Sequence, residues 1–386
     1  MTKKRVLIIH DEGNYQNNPS LKAIIDLLVD EGHCCTIRCR DRHLSSSRPV
    51  PGVSLLTYGK LFRTLKRIVY DVACIKAAVR LLTSLERLLV YRNYDLILGV
   101  DRMGLIEAAA LHDATGTPYI FLSFEIMFEE ETSPRFKRLE IDASKNCRLW
   151  VVQDPMRSEK LVAQNQLDIH KQFILPLASP GLAPPSGHRL RDALGIPTSK
   201  KVAISIGSIA PWTMTKDIIE GVRLWPSDWA LIIHDRYGKT RSELSRLGVD
   251  TSGLEERLYF SEHAPSMIDH LESVLGGISL GIAFYQPTYD SPYTGRNLRF
   301  VGHSSGKIST YLRHGVPVAM NENGVFSYDA LEYGFGIVLE HPSQIGRALK
   351  VISATHATRA SDYFANRLDF NIWKEPLLRE LYKHMS

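Results

Sequence analysis

Short runs of branched aliphatic residues alternate with amphipathic stretches along the first half of the chain, halt at a proline-rich segment, and then begin again. Arg5–His10 reads as a buried strand and Asp11–Asn18 as a loop. Leu21–Asp30 reads as a helix with Pro19 in its first turn, and Cys35–Cys39 as a second strand. Parallel neighbours need a crossover connection, so this opening points to a parallel sheet with helices on its faces. After the Ser/Pro/Gly-rich loop Ser45–Gly52, Tyr58–Tyr91 reads as one or two amphipathic helices. Asp95–Val100 is the next strand, Met103–Thr115 its helix, and Thr117–Phe121, Leu149–Gln153 and Phe173–Leu177 are further strands. Ala178–Gly187 then gathers Pro180, Gly181, Pro184, Pro185 and Gly187, the composition of a linker. Beyond it the cycle restarts with strand Lys201–Ile206, helix Thr215–Leu224 and strands Ala230–His234, Leu258–Phe260 and Leu280–Phe284. The expected fold is α/β: two Rossmann-like, doubly wound parallel-sheet domains facing a cleft, with a ligand at the carboxyl edges of the strands.

The richest stretch follows: Gly302-His303-Ser304-Ser305-Gly306-Lys307-Ile308-Ser309-Thr310-Tyr311-Leu312-Arg313-His314-Gly315-Val316-Pro317-Val318-Ala319-Met320. It reads as a small-residue loop, a short helix, a glycine stop and a strand. Ser304, Ser305 and Gly306 carry little bulk, so backbone N–H groups at the helix start can face an anion, and Lys307 adds a cation. Gly315 suits the left-handed position that ends a helix. A phosphate site is the plainest reading; an ordinary strand-to-helix loop with a solvated lysine is the alternative.

Bulk properties narrow the field. The 386 residues suit two domains, each with its own core. Against 42 acidic residues stand 47 basic ones, a net +5 that is too mild to argue for nucleic acid. The cysteines (Cys34, Cys35, Cys39, Cys74 and Cys147) show no metal-ligand spacing, and a reducing, cytoplasmic setting is expected. Val6–Ile9 is too short for a signal sequence, and no apolar run approaches the roughly 20 residues that span a bilayer.

The string from Ser304 to Val318 resembles the donor-binding segment of GT-B nucleotide-sugar glycosyltransferases, most closely the retaining group called glycosyltransferase family 4. The resemblance extends through Arg5–Ile9, Glu31–Ile37, Tyr94–Asp101, Lys201–Ser208 and Asp228–His234, in that order along the chain. It implies an acceptor-side domain over 1–178, a linker over 179–200, a nucleotide-sugar domain over 201–368, and a terminal helix over 369–386 that returns to the first domain. It implies a nucleoside-diphosphate sugar as co-substrate and no further cofactor; the histidines show no ligand spacing and a DxD pair is absent, so no metal is expected. Lys307, with Ser304, Ser305 and Gly306, would hold the donor diphosphate and stabilise it as it leaves. The loop at Gly207 and Ser208 would approach the donor phosphates. The chain departs from the family here: Ser208 stands where an arginine is common, and Lys216 is displaced from the usual lysine spacing. A pair of glutamates usual in the family would fall near Gly302 and at Thr310, the latter on the donor ribose, and neither position is acidic.

Other candidates sit at strand ends. His234, with Asp235 and Arg236, could touch the nucleotide base or sugar. Asp101 lies near where the family places a group facing the acceptor, and could handle a proton or cap its helix. Glu125 could bind an acceptor hydroxyl, while Glu129–Glu131 reads as a solvated loop. Asp11, Glu12, Gly13 and Asn14 occupy the acceptor-side loop of a GT-B enzyme. Lys60, Arg63, Lys66, Arg67, Lys76 and Arg80 lie among apolar residues, as in a helix resting on an anionic membrane surface or in a domain-facing helix with a solvated basic face.

The expected function is transfer of a sugar from a nucleoside-diphosphate sugar to an acceptor hydroxyl on a glycan, a lipid-linked molecule or a small molecule. Retention and metal independence are expected, in polysaccharide or glycoconjugate synthesis. The alternatives are a nucleotide-sugar epimerase or hydrolase of the same fold, and a catalytically silent nucleotide-sugar- or glycan-binding protein.

Overall fold

A computed structural model of the chain describes residues 3–11, 15–39, 51–57, 64–66, 68–69, 76–90, 93–184, 187–261, 271–291 and 293–385. Two compact units emerge, one from Met1–Pro176 with Trp373–Ser386, the other from Leu177–Ile372.

The first unit is built on a 7-stranded sheet in the order β3-β2-β1-β4-β5-β6-β7. Its strands are β1 (Arg5–Ile9), β2 (Cys34–Cys39), β3 (Val53–Thr57), β4 (Leu96–Val100), β5 (Tyr119–Leu122), β6 (Leu149–Val152) and β7 (Gln172–Ile174). Every pairing is parallel. All residues of β4 and β5 are buried, which is why both read as unbroken apolar runs. The helix Pro19–Asp30 has Pro19 in its first turn as the sequence predicts, and Asn18 caps it, its Oδ1 accepting the Leu21 N–H at 2.9 Å. Gly104 lets the helix Asp101–Thr115 press onto the sheet, because a Cβ there would lie 2.5 Å from the Ile9 carbonyl oxygen.

β3 has no counterpart among the predicted strands. It is one of the two edge strands, its residues only half-buried or exposed, and Ser54 and Thr57 interrupt its apolar residues. The terminal segment packs within this unit: Trp373 meets the edge of Phe173 at 6.3 Å, and the Tyr382 hydroxyl donates to Glu31 at 3.1 Å. Of the basic segment, Lys60, Arg63 and Arg67 lie outside the described residues. Lys66 is buried with its ammonium 2.7 Å from Glu107, and the half-exposed Lys76 and Arg80 pair with Asp142 and Asp113 at 3.4 and 2.7 Å. The described cations of that segment are thus matched by carboxylates. No helix among the described residues is long and apolar enough to cross a membrane.

The second unit is built on a 6-stranded sheet, order β10-β9-β8-β11-β12-β13. Its strands are β8 (Lys201–Gly207), β9 (Trp229–Asp235), β10 (Leu258–Ser261), β11 (Leu280–Ala283), β12 (Val318–Met320) and β13 (Gly336–Val338). Again all pairs are parallel. Alternate residues feed two cores: Val202, Ile204 and Ile206 point to one, Leu231, Ile233 and Ile282 to the other. The segment of linker composition is fixed onto this unit. Gly181 N–H donates to Asp369 Oδ1 at 2.8 Å, Arg313 Nε donates to the Gly181 carbonyl at 2.9 Å, and Ala178 lies in the core.

Candidate functional site

In the second sheet the chain order reverses between β8 and β11: β9 and β10 extend one way, β12 and β13 the other. Helices leave such a switch point in opposite directions, opening a crevice beyond the carboxyl ends of the two strands. Gly207 ends β8, Tyr285 follows β11, and the helix Gly306–Arg313 connects β11 back to β12.

β8 and β11 pair only through Leu280 with Ala203 and Gly281 with Ile204. Past that point the Tyr311 hydroxyl fills the gap, accepting the Ile206 N–H at 2.9 Å and lying 3.1 Å from the Ile204 carbonyl oxygen and 3.3 Å from that of Ile282. Gly281 makes room for this ring, since a Cβ there would sit 2.5 Å from it. The helix ends as the sequence indicates: Gly315 is left-handed (φ +67), and Val316 N–H donates to the Tyr311 carbonyl at 2.9 Å.

Ser305 caps the start of this helix, its Oγ accepting the Ile308 N–H at 3.2 Å. The N–H groups of Ser304 and Ser305 are used in the preceding turn, on Val301 and Gly302 carbonyls at 2.9 and 3.0 Å, and the Ser304 hydroxyl donates to Val301. The open amides are those of Gly306 and Lys307, which have no hydrogen-bond partner among the described residues. They fall later in the loop than the sequence places them, because Gly302–Ser304 forms a tight turn of its own. His303 holds that turn, with Nε2 2.9 Å from Asp329 and 3.0 Å from the Tyr363 hydroxyl.

Lys307 makes no hydrogen bond or ion pair among the described residues. Its ammonium lies 5.6 Å from the centre of the Tyr285 ring. Burial pulls its pKa from the ordinary 10.5 to about 8. Gly207 faces the lysine stem, where a Cβ would come 3.6 Å from Cε, and its φ of +109 is a conformation for glycine.

Tyr285 escapes a reading of motifs, although an aromatic residue directly after an apolar strand was the available signal. Its hydroxyl is 2.7 Å from Ser305 Oγ, and its ring is stacked on Trp212 at 6.2 Å with a 12° interplanar angle. Asn321, just beyond β12, clamps its backbone: Oδ1 accepts the Tyr285 N–H at 3.0 Å and Nδ2 donates to the Tyr285 carbonyl at 2.8 Å.

The remaining donor-side candidates lie as follows. The Ser208 carbonyl accepts from Thr213 Oγ1 at 3.1 Å, inside a loop whose Trp212 reaches Tyr285. Lys216 is largely exposed, 3.8 Å from Glu220 on its own helix. His234 is buried, with Nδ1 3.0 Å from Ser261 Oγ. Thr310 is buried one turn beyond Lys307.

In the first unit Asp11, Asp101 and Glu125 follow β1, β4 and β5, hence the carboxyl edge of that sheet. Glu12, Gly13 and Asn14 lie outside the described residues. Asp101, at a left-handed φ of +52, directs Oδ1 onto the N–H groups of Phe124 and Glu125 at 2.7 and 2.9 Å. The fully buried Arg157 grips the same loop, donating to the Phe124 carbonyl at 2.7 Å and to Gln153, which in turn holds the Ser123 carbonyl. Glu125 is thus a half-buried carboxylate on a clamped turn.

HepE from Anabaena, solved in complex with UDP and glucose, superposes over 98% of this chain and 100% of its own at a TM-score of 0.67, with 16% identity. The fold is GT-B. Sucrose-phosphate synthase from Thermosynechococcus elongatus matches over 99% and 100% at 0.68 with 11% identity. WaaG, a glycosyltransferase involved in lipopolysaccharide biosynthesis, matches over 96% and 98% at 0.63 with 12% identity. No protein-family model matches the sequence, and neither does any curated protein.

Proposed function

We propose that this chain is a glycosyltransferase that moves a sugar from a nucleoside-diphosphate sugar to an acceptor hydroxyl. The observation that carries the reading is an anion cradle at the switch point of the second sheet: an ammonium with no carboxylate partner beside two open helix-start amides, Gly306 and Lys307. HepE, which shares the fold, is solved with UDP. In this reading Lys307 and the two amides hold the donor diphosphate. The acceptor oxygen bonds to the anomeric carbon as the bond from that carbon to the diphosphate oxygen breaks, and the acceptor's proton leaves with the diphosphate. A fixed ammonium and aligned dipoles favour the charge that gathers on the leaving oxygen, without a metal. Retention of configuration rests on the resemblance to the retaining group. On the acceptor side Glu125 receives the hydroxyl, with Asp101 holding its loop. Polysaccharide or glycoconjugate assembly is the setting that fits.

A silent nucleotide-sugar-binding protein is the second reading, favoured by the uncharged Gly302 and Thr310. The test is incubation with a panel of nucleoside-diphosphate sugars, with and without glycan and lipid-linked acceptors, followed by mass spectrometry. Glycosylated acceptor and free nucleoside diphosphate support transfer. A free or epimerised sugar without acceptor product points to a hydrolase or epimerase, and binding without turnover to the silent protein.

A further inference from the structure

We infer that Tyr285 is a positioning residue for the anion site, holding Lys307 ready for a diphosphate without neutralising it. The inference rests on the reading of Lys307 as the diphosphate-binding group. A lysine side chain is long and flexible, and a cation that must meet a ligand in one geometry gains from being held there beforehand. A carboxylate partner would hold it, but would also satisfy its charge and repel the incoming anion. An aromatic face does neither: it attracts the ammonium through the ring quadrupole and leaves the N–H donors available. Lys307 has no carboxylate partner among the described residues, and its ammonium stands 5.6 Å from the Tyr285 ring centre, within cation–π range. On another side the stem meets Gly207, where no side chain intrudes.

Tyr285 is itself unusually well fixed. Asn321 clamps its N–H and carbonyl, Trp212 stacks on its ring, and its hydroxyl meets Ser305 Oγ at 2.7 Å. Ser305 is the residue that caps the helix whose open amides complete the cradle. One side chain therefore touches both halves of the site, the cation through its ring and the helix start through its hydroxyl. The other groups packed here (Trp212, Gly207, Asn321 and Ser305) are uncharged, so the ring is the electrostatic partner that the described residues offer the ammonium.

Binding of inorganic pyrophosphate, titrated by calorimetry across pH 6.5–9.5 on the full chain, separates the two contributions. Tyr285→Phe keeps the ring and loses the hydroxyl; Tyr285→Leu loses both. In the wild type, affinity corrected for the protonation of pyrophosphate itself, which is the same for every variant, holds up to about pH 8 and then falls as Lys307 loses its proton. Tyr285→Phe is expected to bind a few-fold more weakly with the break unmoved. Tyr285→Leu is expected to bind about tenfold more weakly, with the break about half a pH unit lower, because the ring no longer favours the charged form. Circular dichroism and Tm confirm that each variant is folded. A Tyr285→Leu protein that is folded and shows wild-type affinity and break overturns the inference and leaves the anion site standing, as does a lower Tm with unchanged binding. A wild type that ignores pyrophosphate at every pH overturns the anion site and this inference with it.

Discussion

The Tyr311 hydroxyl accepts the Ile206 N–H at 2.9 Å, bridging the two strands where their own pairing ends. One residue thereby ties the helix carrying Lys307 to the point where the sheet opens. The bond is buried, so Tyr311→Phe leaves the Ile206 N–H without its acceptor at a cost of about 1–3 kcal/mol. Denaturant unfolding of the second unit reads that loss, and weaker nucleoside-diphosphate binding by the folded variant should accompany it. Unchanged stability would mean that the amide finds another acceptor.

At Gly207→Ala two effects combine. A φ of +109 is foreign to alanine, and the added methyl sits 3.6 Å from Lys307 Cε. Strain of about 1–3 kcal/mol is expected, together with a raised KM for the donor as the loop beside Lys307 shifts to relieve it; the methyl alone makes only an ordinary contact with the stem. Steady-state kinetics with the donor found active and a thermal melt check the two separately.

The sequence made legible what local chemistry determines. The strand–helix alternation, the Pro19 helix start and the Gly315 stop each depend on a few neighbouring residues, and each appears where it was expected. Strands β3 and β13 were hidden: Ser54 and Thr57 interrupt the apolar residues of the first, and the second is three half-buried residues opening on a glycine. The proline-rich segment reads as a linker because composition does not reveal the bonds from Asp369 and Arg313 that pin Gly181. In the candidate site Lys307 announced itself through the small-residue loop before it. Tyr285 and Asn321 did not, since their importance arises from side chains that meet only once β11 and β12 are paired.

Lys307→Met should stabilise the unliganded protein while removing the anion site. With its pKa pulled from 10.5 to about 8, the folded state binds fewer protons than the unfolded state between those values. Stability therefore rises with pH through that window, and below about pH 8 the charged lysine exerts its full cost, on the order of 1–3 kcal/mol. The variant should melt higher at pH 7, and the difference should vanish toward pH 10. A lower melting point at pH 7 would show that Lys307 is held by an attraction stronger than its burial.

Asp101 Oδ1 accepts two backbone N–H groups from the loop that carries Glu125. Asp101→Asn keeps an oxygen in place and tolerates the left-handed backbone, so it should cost less than alanine, its loss coming from the negative charge withdrawn from the buried Arg157. Asp101→Ala should lose about 1–3 kcal/mol. If Asp101 acts through Glu125, acceptor KM rises in Asp101→Ala and is matched by Glu125→Gln. An Asp101→Asn protein that folds normally but has lost turnover would instead give Asp101 a direct part in proton transfer.

Calorimetric titration of uridine, guanosine, adenosine and thymidine diphosphates into wild type and Lys307→Ala tests the central claim most directly. One diphosphate should bind the wild type, and the substitution should weaken it roughly thirtyfold or more, the loss expected of a charge-assisted contact. A wild type that binds none of them, or a Lys307→Ala protein that binds as tightly, contradicts the account.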